Sequence, residues 1–462
     1  MSSEQFHAHA PLLDPLRASD ASGAADAGGT SDAAVVAAMV EVEVALVEAW
    51  AESVPSAAVA AERIRASVDA PGSPFASDSL ACTASELARA SAGSGAPVLP
   101  LVDLLRAEAP PEARRWVHRG PTTQDVVDSA LMVVARTAAA SIDAALAATV
   151  TELRRRAALH ASDLAVARTL TQPAVPTTLG ARFDAWAAMV EQARVGLLGA
   201  ARLPVQLGGA GGTLASFVEI SRAEGLAVED ARLAAATLPA ALAERLGLET
   251  PAGPWHTSRG PVTALGDALV RCTDALGTIA SDVALLGRPE IGEVIDTSGG
   301  GSSAMPHKRN PVRAVLVRAG ALRAPALAMT LHTCAATAID ERPDGAWHAE
   351  WRPLQELLAL TVASAVTGQA LVEGLAVDPV AARAHVDSAG AALLSERIAA
   401  HLRDALAPDA LARVTAALGS REEAHAAIAA ETAWESDRID ELLDPHSYLG
   451  LVDPAHVRGG RP

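Results

Sequence analysis

The sequence predicts an all-α protein in which a long central helical bundle carries smaller helical N- and C-terminal domains. Three observations lead there. The chain has 462 residues, half of them apolar, enough to bury a large core. Several stretches of more than about 20 residues repeat apolar side chains at spacings of three and four. Strand-like alternation is scarce, and glycine and proline gather in a few segments. The expected division is 1–115, 116–375 and 376–462.

In chain order, the small polar residues 18–32 (ASDASGAADAGGTSD) predict a loop, with a first helix starting near Ser31 or Asp32 and running to about Glu52. Pro71 to Pro100 is read as loop-rich, because its glycines and prolines prevent one continuous helix. Long helices are then expected from Thr122 to Leu159, Ala181 to Ala201, Val262 to Leu286, Pro311 to Ala338 and Pro353 to Leu375. Leu265, Leu269, Cys272, Leu276, Ile279 and Val283 form one stripe of the third. From Asp378 the helices shorten, and the end reads as a frayed tail. No repeat of fixed period is present. Broad alanine faces predict association with further helices, including those of other copies.

The balance of 37 Lys and Arg against 55 Asp and Glu, a net charge of −18, opposes a phosphate-tracking surface, so nucleic acid is not an expected partner. No uncharged apolar run reaches the roughly 20 residues of a membrane span, so no membrane is expected. Glu4 and Asp14 fall where an export signal needs a basic and then an apolar segment. Cys82, Cys272 and Cys334 are widely spaced with no CxxC pair, read as reduced thiols in a cytoplasmic protein.

Three segments carry candidate chemistry. Gly299 to Pro311, GGGSSAMPHKRNP, compresses glycines, Ser302, Ser303, Met305, His307, Lys308, Arg309 and Asn310 before a helix. Glycines allow unusual backbone angles and motion, amides near a helix start bind anions, and Lys308 with Asn310 can hold a carboxylate. The bland reading is a solvated basic surface loop. WVHRGPTTQDVVD, Trp116 to Asp128, places hydroxyls, an amide and a carboxylate at a helix start. Thr122 to Asp125 also fits a capping box. RTLTQPAVPTTLG, Arg168 to Gly180, offers Gln172, Thr177 and Thr178 as polar contacts or as loop packing.

The first segment closely resembles GSSxMPxKxNP, the signature of the fumarase/aspartase superfamily, with every fixed position present from Gly301 to Pro311. The other two resemble its HxGxTSxD and RTxxQxAxPTTxG regions, with Thr123 in place of the usual serine. The resemblance implies that the signature loop closes over substrate. It also implies that Ser302 transfers a proton and that Lys308 and Asn310 stabilise an enediolate. His118, Thr122, Thr123, Gln124, Gln172, Thr177 and Thr178 would line the site. It further implies a homotetramer whose sites are shared between subunits. A serine hydroxyl needs the closed loop's amides and cations to act as acid or base.

The superfamily's adenylosuccinate and argininosuccinate lyases carry a histidine two residues after the third region's arginine, paired with a glutamate thirteen residues after the signature serine. Here those positions are Leu170 and Val315. Further segments, LLDPL, GSGAPVLPLV, QLGGAGGTLAS, PWHTSR and ERPDGAWHAEW, resemble the 3-carboxy-cis,cis-muconate cycloisomerase branch. That branch lactonises a tricarboxylate to 4-carboxymuconolactone and implies no metal or redox cofactor. Arg259 then joins Lys308, Asn310 and the threonines as carboxylate donors, with His118 or His256 contributing. Trp347 and Trp351 are read as core or site, and His348 to Glu350 as a packed polar helix face. The competing expectations are a C–N lyase releasing fumarate and a non-catalytic helical assembly.

Overall fold

The structure, a computed structural model, describes residues 14–18, 29–297, 300, 305 and 308–452. The helices through the first half are α1 (Pro15–Ala18), α2 (Asp32–Trp50), α3 (Pro55–Val68), α4 (Leu80–Ser94), α5 (Val98–Glu108) and α6 (Thr123–Leu159). A hairpin of β1 (Leu164–Thr169) and β2 (Gln172–Thr178) leads into α7 (Leu179–Ala200), α8 (Ala215–Ala223), α9 (Val228–Leu246) and α10 (Gly260–Leu286). Next come β3 (Val294–Asp296), α11 (Val312–Ala336), α12 (Gly345–Glu373) and β4 (Leu375–Val377). Five short helices close the described chain: α13 (Pro379–Ala389), α14 (Ser395–Leu402), α15 (Pro408–Ala416), α16 (Arg421–Glu431) and α17 (Ser436–Leu442). The all-α expectation holds, and both strand pairs among the described residues are two-stranded.

Contacts divide the chain into two compact units. The first comprises Met1–Ala145, Ala193–Asp274 and Ala319–Thr367. Its helix α2 starts where Ser31 Oγ accepts from Ala34 N–H at 3.1 Å, with Asp32 favourably placed against the helix dipole. It is apolar nearly all round because it packs against α3, α4 and α9. Gly320 lies where a side chain would strike Leu16 and Ser364, so the crossing of α11 with its neighbours needs glycine.

The second unit comprises Leu146–Gln192, Ala275–Arg318 and Gly368–Pro462. In its β1–β2 hairpin Leu170 and Thr171 form a two-residue turn with φ of 48° and 71°. The register slips between Ala167 and Arg168, leaving Ala174 unpaired as a bulge. Strands β3 and β4 pair Ile295 with Ala376. Leu394, Ile398, Leu402, Val414, Ile428 and Ile439 make a separate apolar cluster among the short helices.

Several sequence expectations need correction. Pro71 to Pro100 contains the 15-residue helix α4, which ends at Gly95 in a left-handed cap with φ of 75°; the glycines punctuate a helix there. Helix α12 begins at Gly345, so Pro353 lies inside it, the surrounding packing tolerating the missing N–H. The polar segment after Leu164 is a hairpin, where no strands were expected. Three helices, α6, α11 and α12, are long and apolar enough by composition to cross a membrane. The most apolar windows of α6 and α12 are 56% and 72% buried within the protein, that of α11 only 33%. Cys272 and Cys334 are buried, with burial pushing the Cys272 thiol up to about 12, but Cys82 is exposed.

Candidate active site

In the first unit the segment before α6 turns sharply into the helix. His118 adopts φ of 55° and Gly120 φ of 106°. A Cβ on Gly120 would sit 2.8 Å from the Phe217 ring, so this corner requires glycine. Half of the expected capping box forms: Asp125 Oδ2 accepts from Thr122 N–H at 2.9 Å. The same carboxylate accepts from Gly208 N–H at 3.0 Å and Gly209 N–H at 2.9 Å, and its Oδ1 lies 2.8 Å from His256 Nε2. The QLGGAGGT segment is thereby folded onto the start of α6, with Gly208 against His256 where no side chain would fit.

One turn along α6, Asp128 joins a second buried network. Arg259 bridges Asp128, at 2.8 and 3.1 Å, and Glu350 on α12, while Trp347 Nε1 donates to Asp128 at 2.9 Å. Burial and the facing Asp128 charge push Glu350 up to about 7 against the pull of Arg259. Arg259 in turn is held above its ordinary value, its two carboxylates outweighing burial. Trp347 packs edge-on against Trp351, 4.6 Å between centroids.

These networks revise the expected roles. Arg259 is 3% exposed, and its N–H groups are taken by Asp128, Glu350 and the Trp255 and His256 carbonyls, leaving no donor for a substrate carboxylate. Gln124 is fully buried, its amide donating to Asp128 and the His256 carbonyl, so it cannot face solvent or substrate. His256 is 3% exposed and tied to Asp125. Thr122 is buried at the helix start, whereas Thr123 is partly exposed. His118 keeps Nε2 without a hydrogen-bond partner among the described residues, its Nδ1 lying 2.6 Å from Glu43 Oε1.

In the second unit the bulge at Ala174 has a consequence for the third region. Gln172 pairs with Thr169 and Thr177 with Ala165, two β1 positions four apart, so Gln172 and Thr177 share one face. Thr178 takes another role: it is buried and its Oγ1 accepts from Ala181 N–H at 3.0 Å, capping α7. Arg168 and Arg182 flank the buried Glu293 at 2.6 and 2.9 Å. Although burial opposes its charge, the two guanidinium groups hold the Glu293 carboxyl below its usual range.

The base of the signature loop is a bridge in which Gly300 and Asn310 exchange backbone hydrogen bonds of 3.1 Å. Lys308 is exposed, its N–H donating to the Met305 carbonyl at 3.0 Å, and Met305 is itself exposed. Ser302, Ser303 and His307 lie outside the described residues. Leu170, at the hairpin turn, is 96% exposed, and Val315, in the first turn of α11, is 52% exposed.

Sequence reading gave Asp125 only a local capping role and Glu350 only a packed polar face, and it missed Glu43 and Asp128 as organisers. Glu43 lies among the valines and alanines of α2, where a buried carboxylate needs a partner.

Residues 30–325 match the lyase family, and the chain belongs to it, within the fumarase/aspartase superfamily of all-α enzymes. Nitrosuccinate lyase of Streptomyces davaonensis is 41% identical, over 96% of this chain and 94% of its own. The 3-carboxy-cis,cis-muconate cycloisomerase of Bradyrhizobium diazoefficiens is 32% identical, over 97% and 96%. Among solved structures, the 3-carboxy-cis,cis-muconate lactonizing enzyme of Pseudomonas putida matches with a TM-score of 0.74 at 31% identity, covering 93% of this chain and 94% of that one. A fumarate lyase from Mesorhizobium matches with a TM-score of 0.77 at 26% identity, covering 94% and 97%.

Proposed function

We propose that the protein is a cycloisomerase that closes 3-carboxy-cis,cis-muconate to 4-carboxymuconolactone. One observation carries this within the lyase family: Leu170 and Val315 are exposed apolar side chains where amine-eliminating lyases have an acid–base pair. A reaction without a basic leaving group has no use for that acid. A substrate carboxylate oxygen adds to the conjugated double bond, forming a C–O bond, and the π electron pair moves into a second carboxylate as an enediolate. A proton then adds at carbon. Lys308 and Asn310 hold the enediolate and Ser302 delivers the proton once the loop has closed. His118, Thr123, Gln172 and Thr177 meet the remaining carboxylates.

The 41% identity to a nitrosuccinate lyase over nearly the whole chain supports a second reading, elimination of nitrite from nitrosuccinate. Nitrite leaves as a stable anion and needs no protonation, so the missing pair suits that reaction as well. Both readings involve self-association into shared sites, in a cytoplasmic setting. The exposed Val315, Leu322 and Met329, seven residues apart along α11, suit burial against another copy.

Purified protein is incubated with each substrate. Loss of diene absorbance with lactone formation supports the cycloisomerase. Nitrite and fumarate release without lactone formation moves the assignment to the lyase, and inertness toward both refutes the pair. Ser302→Ala abolishing turnover at unchanged melting temperature places the hydroxyl in the chemistry.

A further inference from the structure

A glutamate in the middle of α2 controls His118, whose Nε2 has no hydrogen-bond partner among the described residues. His118 has left-handed backbone, a conformation that a non-glycine residue keeps only with outside support. Glu43 provides it twice: Oε2 accepts from the His118 backbone N–H at 3.0 Å and Oε1 lies 2.6 Å from Nδ1. Two turns further along α2, Trp50 Nε1 donates to the Arg119 carbonyl at 3.1 Å. Ser216 Oγ donates to the Gly120 carbonyl at 3.0 Å, so three consecutive residues of the corner are tethered.

The Glu43 carboxylate is 3% exposed, and a charge so enclosed needs a compensating one. Glu43 from α2 and Asp125 from α6 both favour a charged imidazole, while Arg106 from α5 disfavours it. Burial is the largest opposing influence, yet the Glu43 hydrogen bond and charge carry His118 above its ordinary 6.5. The imidazolium, in which Nδ1 and Nε2 both donate, is therefore favoured more than in a free histidine.

We propose that Glu43 is a positioning residue that locks His118 Nδ1 and presents Nε2–H as a fixed donor to a carboxylate of the substrate. The ligand's identity rests on the cycloisomerase reading; the coupling between Glu43 and His118 does not. His118 so held binds charge and does not act as the base, which leaves proton transfer to another group.

The test uses full-length protein labelled with 13C-histidine, in which the His118 signal is assigned by its loss in His118→Asn and titrated without substrate. The wild type is expected to titrate above 6.5, and Glu43→Gln to lower the midpoint by about one unit or more. Titration at the same pH in both overturns the proposal, whatever the enzyme's reaction. Should Glu43→Gln fail to fold, the wild type decides alone, and a midpoint at or below 6.5 overturns it. With 3-carboxy-cis,cis-muconate, Glu43→Gln is expected to raise KM about tenfold while kcat changes less than about threefold. The alkaline limb of kcat/KM should move down in pH with the NMR midpoint. A fall in kcat at unchanged KM overturns the donor role. A shifted titration in a protein inert toward the muconate supports the coupling and refutes the cycloisomerase reading instead.

Discussion

Replacing Asp125 by alanine removes the acceptor shared by four donors: the Thr122, Gly208 and Gly209 amides and the His256 ring. Each stranded buried donor costs about 1–3 kcal/mol, so four isolated losses sum to roughly 4–12 kcal/mol. Relaxation lowers that figure, because Ala210 and Gly211 are exposed and water can follow them to the freed amides. The expected loss is therefore about 3–5 kcal/mol, the range for removing one member of a buried pair. At fixed protein concentration, thermal unfolding should fall by roughly 5–10 °C. Asp125→Asn keeps one oxygen and should lose less, and limited proteolysis should cut Asp125→Ala near residues 208–214. An Asp125→Ala protein that melts within about 2 °C of the parent and resists the protease would refute the view that this carboxylate holds the glycine segment in place.

Gly180→Ala puts a methyl group 2.6 Å from the Ala157 carbonyl oxygen and the Ala161 Cα, backbone that cannot swing aside. A loss of about 2 kcal/mol or more is expected in the melting curve, larger than for exposed Gly211→Ala. Lys308→Ala, at an exposed position, should leave the melting temperature within about 1 °C while lowering kcat/KM at least about a hundredfold. The raised Glu350 carboxyl means the folded state favours its neutral form more than the unfolded chain does. Its contribution to stability is complete below about 4.5 and is lost as pH rises through about 7. Glu350→Gln should flatten that part of the stability profile, read by melts across pH. Leu170→His combined with Val315→Glu alters two exposed side chains and should fold normally, histidine tolerating φ of 48° better than leucine. Fumarate release from an N-substituted succinate should then exceed the parent's.

What the sequence shows and what it hides separates by the range of the interaction. Ser31 at the start of α2 and Asp378 at the start of α13 cap within three residues, so a local reading finds both. The long helices are legible for the same reason, since their stripes repeat every turn. Pro353 misleads because a proline's local effect was overridden by the packing of α12. The hairpin before α7 is hidden by Leu170 and Thr171, which turn the chain without the glycine or asparagine that marks such turns.

The candidate site divides in the same way. Its signature residues are contiguous and therefore readable, whereas what holds them is assembled from distant segments. Glu43 meets His118 across 75 positions, Asp125 meets His256 across 131, and Arg259 meets Glu350 across 91. A basic residue in a ligand-rich sequence looks like a donor for substrate until its partners are known. Arg259 illustrates this: Asp128 and Glu350, 131 and 91 positions away, together convert it from a binding group into a brace between α6 and α12. His118 is the opposite case, because its partner occupies one ring nitrogen and leaves the other available. Function at this site thus depends less on which polar residues are present than on which of them the buried carboxylates have already engaged.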